Sequence, residues 1–447
     1  MARQRSGHGG TMPASRQQGA RPHLAQLGSG SLCALLGLIA PIAPARAQTT
    51  VDPRMERDTV TARARPDRES TGIAIGSFKI APSFGIEADA TDNLYARGDV
   101  RRSDAALALQ PAITVQSQWS RHALSLSADA AIKRYAKRTA ENTEIFAVKL
   151  DGRLDLASDT RLSADASAAR KVEQRGTSGD TLFGAAPIAF TMLSGGAQIE
   201  QGFAQARITL AGRYDRYRYA DRALSGAVID LSPRDFEALS ASLHTAIGIG
   251  AGVAAFASVA VNRNRYTAAP VGPNRDSHGF TALGGLAFGL NRLLQGEVGI
   301  GYVRQDFTEA VFPRISGIAY NLQLRWSPTR LTTVTAAAAR TFQRSPIAGV
   351  AGIQQHDVSL SAEHELLRTL ILRPSVRYTV ADFQVAAAAT PHRERYLTAV
   401  FGVSWQLSPH LELSGSLAHS LGRNSGSANP ARAFDRNRVA VSLRWRL

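Results

Sequence analysis

Apolar and polar residues alternate with a period of two along most of this chain, and this pattern constrains the fold more than any other feature. In residues 145–156 one phase is apolar, and the other carries Lys149, Asp151, Arg153 and Asp155. The same alternation recurs at 318–326, 372–380 and 411–420. A period of two is that of a β-strand, in which successive side chains point to opposite faces. After residue 47 no segment repeats a helical period, so the chain is predicted to be all-β.

Strand length and connection length separate a membrane barrel from a soluble sandwich. The alternating segments run for about 12 to 17 residues, whereas strands of soluble proteins centre on about 5–6 residues. Charged residues stand in mid-strand, and tight connections alternate with long ones, as in an up-and-down barrel with short inner turns and longer outer loops. The pattern predicts a transmembrane antiparallel β-barrel of 18 strands, or 16 if one hairpin is misassigned. Pro82, Pro111 and Pro374 lie inside predicted strands, where they predict β-bulges.

The start of the chain is typical of an exported protein. A basic opening without acids precedes an apolar run, Leu32 to Ile42, and Ala45-Arg46-Ala47 follows. This order predicts a signal peptide over 1–47; the run is too short for a membrane-spanning helix, although a single anchor is the alternative. Residues 48–77 are polar and are predicted to be a disordered periplasmic segment, and 78–447 the barrel. Within 48–77, residues 58–62 faintly resemble the short motif through which energy-coupled outer-membrane transporters bind their energy-transducing partner. That class of transporter has 22 strands and a plug domain, and this chain has no room for either.

Charge and side-chain chemistry exclude several functions. The formal net charge is +16, and five arginines without acids in 1–47 leave +16 − 5 = +11 for the remainder. A basic chain can bind nucleic acid, but no helix-turn-helix or zinc-ligand spacing occurs, and export argues against such a partner. His244, His364 and His419 lie in predicted strands without a catalytic constellation. We therefore expect no enzyme activity, no cofactor and no metal site.

The aromatic residues predict two interfacial bands. All four tryptophans, Trp119, Trp326, Trp405 and Trp445, fall on the apolar phase at the end of down-going strands. Most tyrosines fall at the other end: Tyr135, Tyr214, Tyr219, Tyr266, Tyr302, Tyr320, Tyr378 and Tyr396. Amphipathic rings prefer the membrane interface. We interpret the two sets as girdles of a barrel in the bacterial outer membrane, in contact with its lipid and lipopolysaccharide.

The last predicted strand alternates through Val439, Val441, Leu443, Trp445 and Leu447. This strand must pair with the first, because an open edge in lipid leaves backbone groups unsatisfied. Its alternation resembles the C-terminal signal that the outer-membrane assembly machinery recognises, although the usual last residue is Phe or Trp. These five residues are predicted to form the assembly signal.

The polar phases predict a wet, charged lumen. The residues expected to line it are Lys149, Asp151, Arg153, Arg213, Arg325, Glu363, Glu365, Arg373, Arg377, Arg444 and Arg446. Sixteen to eighteen strands leave an aqueous channel unless a loop fills it, and the excess of arginine favours anions or acidic saccharides. The expected function is a porin-like channel for small polar solutes or saccharides. The alternative is a structural or surface-interaction barrel without an open channel.

The first predicted strands resemble the family described as putative beta-barrel porin 2. The resembling residues are Phe78-Lys79-Ile80-Ala81-Pro82-Ser83, Thr91-Asp92-Asn93-Leu94-Tyr95, Ser103-Asp104 and Leu109-Gln110-Pro111. The resemblance implies an exported barrel embedded in the outer membrane. Some members are associated with exopolysaccharide production or secretion, and the resemblance extends that expectation here. No catalytic residue is implied.

Overall fold

Eighteen long strands, each hydrogen-bonded to the strand before it and the strand after it, form a closed antiparallel barrel. The computed structural model describes residues 59–63, 70–178, 180, 186–224, 227–250, 252–268, 272–290, 293–345, 347, 349–386, 392–425 and 433–447. The predicted signal segment 1–47 lies outside the described residues. Among the described residues, no helix is long and apolar enough to cross a bilayer.

The barrel strands are β2 (Phe78–Thr91), β3 (Asp104–Ser117), β4 (Ala123–Tyr135), β5 (Thr143–Asp155), β6 (Thr160–Val172), β7 (Ala189–Gly202), β8 (Ala206–Tyr219), β11 (Phe236–Gly250), β12 (Val253–Tyr266), β13 (Ser277–Leu290), β14 (Leu294–Phe307), β15 (Ile315–Thr329), β16 (Thr332–Arg344), β17 (Val350–Leu367), β18 (Leu370–Val385), β19 (His392–Ser408), β20 (Leu411–Ser425) and β21 (Phe434–Arg446). A short strand, β1 (Ile73–Ile75), pairs with β2. Strands β9 (Arg222–Leu224) and β10 (Ala227–Ile229) form a separate hairpin in an outer loop.

The barrel is closed by its first and last long strands. β2 and β21 pair antiparallel from Ser83 opposite Arg446 to Thr91 opposite Arg438. Beyond that ladder, the Leu447 backbone N–H donates to the Pro82 carbonyl at 3.1 Å. The predicted count of 18 is confirmed, and the alternative of 16 is wrong. Closure satisfies the edge groups that lipid could not.

The outer face of the barrel is apolar because the alternation places every second side chain there. On β5, Phe146, Val148 and Leu150 are 43–53% exposed. The same holds for Val439, Val441 and Leu443 on β21. This exposed apolar surface is the face that contacts lipid.

The four tryptophans lie on the outer face at a single rim of the barrel. Trp119 follows β3, and the other three are near the ends of β15, β19 and β21; their exposed fractions are 37–52%. The register places Trp326 opposite Leu294, Trp405 opposite Leu370 and Trp445 opposite Leu411. Tight turns join the strands at this rim, which is therefore the periplasmic one.

The tyrosines differ from the expected second girdle. Tyr214, Tyr302 and Tyr378 are 40–45% exposed on the outer face. In contrast, Tyr219 is buried, and Tyr266 packs with it inside the barrel. Tyr135 and Tyr396 also lie on the inner face, since they pair with Ala106 and Thr379. These four follow the polar phase of their strands, so the prediction of a complete tyrosine girdle is wrong for them.

The prolines within strands do not create bulges, contrary to the sequence-based expectation. The register is unshifted on both sides of Pro111, but pairing with β4 lapses between Leu109 and Ala112. At Pro374, pairing with β17 lapses in the same way between Leu372 and Ser375. Pro82 lies just beyond the last paired residue of the β2–β21 ladder. At Pro111 and Pro374, pairing with one neighbouring strand is lost locally, and no extra residue is inserted.

Part of the segment predicted to be disordered is ordered. Ile73–Ile75 forms β1, with Ile73 opposite Ile80. Residues 59–63 form a turn in which Val60 is fully buried. The remaining residues of 48–77, apart from 70–72 and 76–77, lie outside the described residues. Sequence polarity alone did not reveal that a polar turn can be held by the barrel wall.

Candidate functional site: the barrel interior

All eleven residues predicted to line the lumen lie on the inner face of their strands. For most of them an adjacent residue in the strand is an exposed apolar or aromatic side chain on the lipid face, as Leu150 is beside Asp151 and Trp445 is beside Arg444. The residues and strands are Lys149, Asp151 and Arg153 on β5, Arg213 on β8, Arg325 on β15, Glu363 and Glu365 on β17, Arg373 and Arg377 on β18, and Arg444 and Arg446 on β21. Charged side chains therefore line a large part of the inner wall.

The wall formed by β5 to β8 carries charges that neutralise one another. A recess of about 380 Å³ opens there. Lys149 Nζ lies 2.5 Å from Asp151 Oδ1, and Arg213 Nη2 lies 2.8 Å from Asp165 Oδ1. Arg153 pairs with Asp155 at 3.2 Å. Because every cation named here has a carboxylate neighbour, this wall adds little net field to the lumen.

A second cluster of charges bridges the seam between β21 and β2. Arg438 Nη2 lies 3.1 Å from Glu87 Oε1, and Arg438 Nε lies 3.1 Å from Asp89 Oδ2. Lys133 Nζ on β4 lies 2.6 Å from Asp89 Oδ1. Nearby, Arg444 donates to Gln110 at 3.2 Å. The two carboxylates are almost fully buried, so these cations hold the seam together from inside.

The β18 wall is different, because its arginines are unpaired. Within the described part of the chain, Arg373 and Arg377 have neither an ion-pair nor a hydrogen-bond partner. Their cross-strand neighbours are small or hydroxylated: Gly402 faces Arg373, and Ser359 and Thr398 face Arg377. Both guanidinium groups are thus free to meet a solute in the lumen.

Aromatic rings line the outer end of the lumen, a feature that the sequence did not predict. Phe190, Tyr217 and Phe236 are buried, and the Tyr217 and Phe236 rings stack at 4.3 Å between centroids. The Arg344 guanidinium lies 4.3 Å from the Phe236 ring centroid and donates to Asn264 Oδ1 at 2.6 Å. Since β16 and β12 are separated by three strands, this arginine spans part of the lumen.

Outer loops converge on the same end of the barrel. Arg275 donates to the Ser345 carbonyl at 2.7 Å and to the Pro233 carbonyl at 3.1 Å, and it stacks on Tyr266 at 4.3 Å. Three outer loops are thereby joined.

Phe190, Tyr217 and Phe236 share the phase of polar inner residues such as Asp215, and that shared phase is the signal by which the sequence could have placed them inside.

A buried ion pair anchors a further outer loop. Arg234 and Glu173 form a contact in which both side chains are 9% exposed. Burial raises the pKa of the Glu173 carboxyl above its ordinary value, although Arg234 opposes the rise. Arg234 also lies 4.4 Å from the Tyr219 ring centroid. The outer end of the lumen is therefore narrowed by packed side chains as well as by loops.

The histidines that the sequence singled out, His244, His364 and His419, occupy unrelated places. His244 stacks on Phe256 inside the barrel, His364 Nδ1 lies 2.9 Å from Thr332 Oγ1, and His419 Nδ1 lies 2.7 Å from Asn437 Oδ1. Across the described residues, no group of three or more His, Cys, Asp or Glu side chains is arranged to hold a metal ion.

Several solved structures are similar to this chain at low sequence identity. The siderophore receptor PirA from Acinetobacter baumannii is 7% identical with a TM-score of 0.47, over 82% of this chain and 80% of that chain. OpdK from Pseudomonas aeruginosa, solved with vanillate, is 11% identical with a TM-score of 0.45, over 82% and 99%. OccAB3 from Acinetobacter baumannii is 11% identical with a TM-score of 0.41, over 82% and 99%.

No curated protein has a significantly similar sequence. A sequence family matches most of the chain, namely residues 65–447, and its description is putative beta-barrel porin 2. That range contains every barrel strand, the charged lumen and the aromatic rim. The chain therefore belongs to this family and is a β-barrel of the bacterial outer membrane.

Proposed function

We propose that this barrel is a porin-like channel that passes small polar solutes or saccharides and mildly prefers anions. Eighteen strands enclose enough space for an aqueous path. The observation that carries the proposal is the pair of unpartnered arginines, Arg373 and Arg377, on the inner face of β18. Arginine stays charged at any working pH, so the pair supplies a fixed positive potential within the lumen.

The expected selectivity is weak because acids share the lumen. Glu363 and Glu365 lie on β17, beside β18, and oppose the field of the arginines. The ion pairs on the wall of β5 to β8 contribute little. In a path wide enough for hydrated ions, fixed charge acts through its local potential, which salt screens within about 8–10 Å. Anion preference should be largest in dilute salt and fade near molar salt.

Reversal potentials across a salt gradient in planar bilayers test the proposal. Replacing Arg373 and Arg377 together by Gln should move the reversal potential toward cation preference. The matched control replaces Arg263 and Arg265 by Gln, because these two exposed arginines lie on the outer face of β12. The control removes the same charge but should leave the reversal potential unchanged.

Two results would contradict parts of the proposal. If the purified barrel conducts nothing, the channel function fails. If it conducts but the Arg373 and Arg377 double variant matches the control, these arginines do not line the path. Liposome swelling with neutral and acidic saccharides would test the solute class. The proposed connection with exopolysaccharide secretion draws its support from the family resemblance.

A second candidate is a surface-interaction barrel that is closed inside. The observation in its favour is Arg275, whose hydrogen bonds join loop residues Pro233 and Ser345 over the outer end of the barrel. Such a barrel would act through its outer loops. Absence of conductance, together with binding of the intact barrel to surface polysaccharide, would favour this candidate.

A further inference from the structure

Residues 59–63 form a small turn that is closed by its own hydrogen bonds. The Arg63 backbone N–H donates to the Thr59 carbonyl at 3.1 Å. The Ala62 backbone N–H donates to Thr59 Oγ1 at 3.1 Å. Val60, within this turn, is fully buried. A five-residue turn with a fully buried valine needs a surface against which that valine can pack.

That surface is the inner wall of the barrel at Glu363. The Thr61 backbone N–H donates to Glu363 Oε2 at 2.9 Å, and Thr61 Oγ1 donates to Glu363 Oε1 at 2.7 Å. Both carboxylate oxygens are therefore engaged by one residue that lies 302 positions away in the sequence. Two hydrogen bonds to an ionised carboxylate fix both the position and the orientation of the turn.

The height of this contact within the barrel follows from the strand that carries Glu363. β17 ends at Leu367, and a tight turn of the periplasmic rim follows. Thr333, directly opposite Glu363 on β16, is 2% exposed although it faces the lumen. On the distant wall, the Lys149 side chain is 50% exposed. The wall beside Glu363 is thus covered by other parts of the protein, whereas the wall at Lys149 is open to the lumen.

We infer that the inner wall at Glu363 is a binding site for the chain's own Thr59–Arg63 turn, which lies in the periplasmic half of the lumen as an internal plug. One carboxylate accepts hydrogen bonds from the backbone N–H and the side-chain hydroxyl of the same threonine, Thr61. The docking itself is independent of the proposed channel function. Its consequence, a narrower path, rests on that function.

Proximity can be tested without measuring transport. Ala62→Cys and Ser361→Cys, placed together, leave Thr61 and Glu363 intact, and Ser361 shares the inner face with Glu363 two residues away. The only native cysteine, Cys33, lies in the predicted signal segment. A short bis-maleimide applied to outer membranes should link the two cysteines and shift the gel mobility of the unfolded chain. The matched control pairs Ala62→Cys with Ser163→Cys on the inner face of β6.

Adding Glu363→Ala to the Ala62→Cys and Ser361→Cys variant tests whether the Glu363 carboxylate holds the turn. Because both charge-assisted hydrogen bonds are lost, cross-linking yield should fall by about tenfold. Adding Glu200→Gln, a change at an inner-face carboxylate on the β7 wall, should leave the yield unchanged. Equal yields for the Ser361 and Ser163 pairs, or no effect of Glu363→Ala, would overturn the docking.

Conductance then tests the plug. Deleting residues 59–63, or replacing Glu363 by Ala in the full chain, should raise single-channel conductance by about twofold or more. If cross-linking behaves as expected but no variant conducts, the docking stands and the channel function fails. If the intact barrel conducts and both changes leave conductance unaltered, the turn binds the wall without narrowing the path, and the plug is refuted.

Discussion

Replacing Arg438 by Gln should destabilise the barrel through its seam. In the structure, this arginine on β21 contacts Glu87 and Asp89 on β2, each at 3.1 Å. The side chains of the two acids are 9% and 3% exposed, and that of the arginine is 24% exposed. Without the guanidinium, two nearly buried carboxylates would face each other with less compensation.

The magnitude follows from burial and from the remaining cation. Breaking a buried ion pair by removing one partner costs about 3–5 kcal/mol. Arg438 is partly exposed, and Lys133 still contacts Asp89 at 2.6 Å, so the expected loss is reduced to about 2–3 kcal/mol. A loss of that size changes the unfolding equilibrium constant by about 30- to 150-fold.

Urea titration of the refolded barrel in lipid vesicles measures this loss, with the fraction folded read from heat-modifiable gel mobility. The matched control is Arg373→Gln, also on the inner face but without a partner, which should cost less than about 0.5 kcal/mol. Adding Glu87→Gln and Asp89→Asn to the Arg438 variant should restore part of the stability. The reasoning is refuted if Arg438→Gln costs no more than Arg373→Gln.

Three further predictions concern the lipid face, the terminus and the loop next to the seam. Leu150→Arg should impair assembly more than Asp151→Arg, because a cation on the lipid face of a barrel costs about 2–4 kcal/mol at mid-membrane; equal amounts of folded protein would contradict this. Deleting 444–447 should cause degradation or periplasmic accumulation in a fractionation assay, and normal assembly would show that these residues are dispensable. Burial works to raise the pKa of Asp92, but hydrogen bonds from Asn437 outweigh it and lower the pKa. Asp92 therefore stabilises the fold above its unfolded pKa of about 3.9, and this stability is lost as pH falls through the lower folded value. Asp92→Asn should destabilise the barrel at neutral pH and have little effect near pH 2, and an equal loss at both pH values would contradict the assignment.

The architecture could be predicted from the sequence because the bilayer imposes the same alternation of apolar and polar residues on each strand. Lipid requires an apolar residue at every second position, and closure requires an even set of paired hairpins. The barrel is predicted to start at residue 78, and its first long strand begins there. Differences of a few residues occur where strands extend beyond the lipid: the alternating segment 372–380 lies within the longer strand β18, Leu370–Val385. There the alternation is no longer enforced.

The interior was less predictable, because water and protein contacts tolerate both polar and aromatic side chains. Tyr219 and Tyr266 lie at the height of an outer girdle but face inward, where Arg234 and Arg275 stack on them. The pairing of charges was also hidden, since Arg213 and Arg373 look alike in sequence but only Arg213 has a carboxylate partner. The Thr61 contact with Glu363 joins distant segments and leaves no local pattern.

The pairing of β2 with β21 also has a consequence for the rate of folding. The Thr91 hydroxyl donates to the Asn437 carbonyl across 346 positions, and β21 is synthesised after every other strand. Until β21 arrives, the growing sheet has two unpaired edges and a lipid face exposed to water, both of which promote aggregation. Contacts so distant in sequence form slowly, because loop-closure entropy must be overcome before any pairing energy is gained. The unfolded chain should therefore spend a long time in the periplasm and depend on chaperones that hold it in a soluble state until insertion.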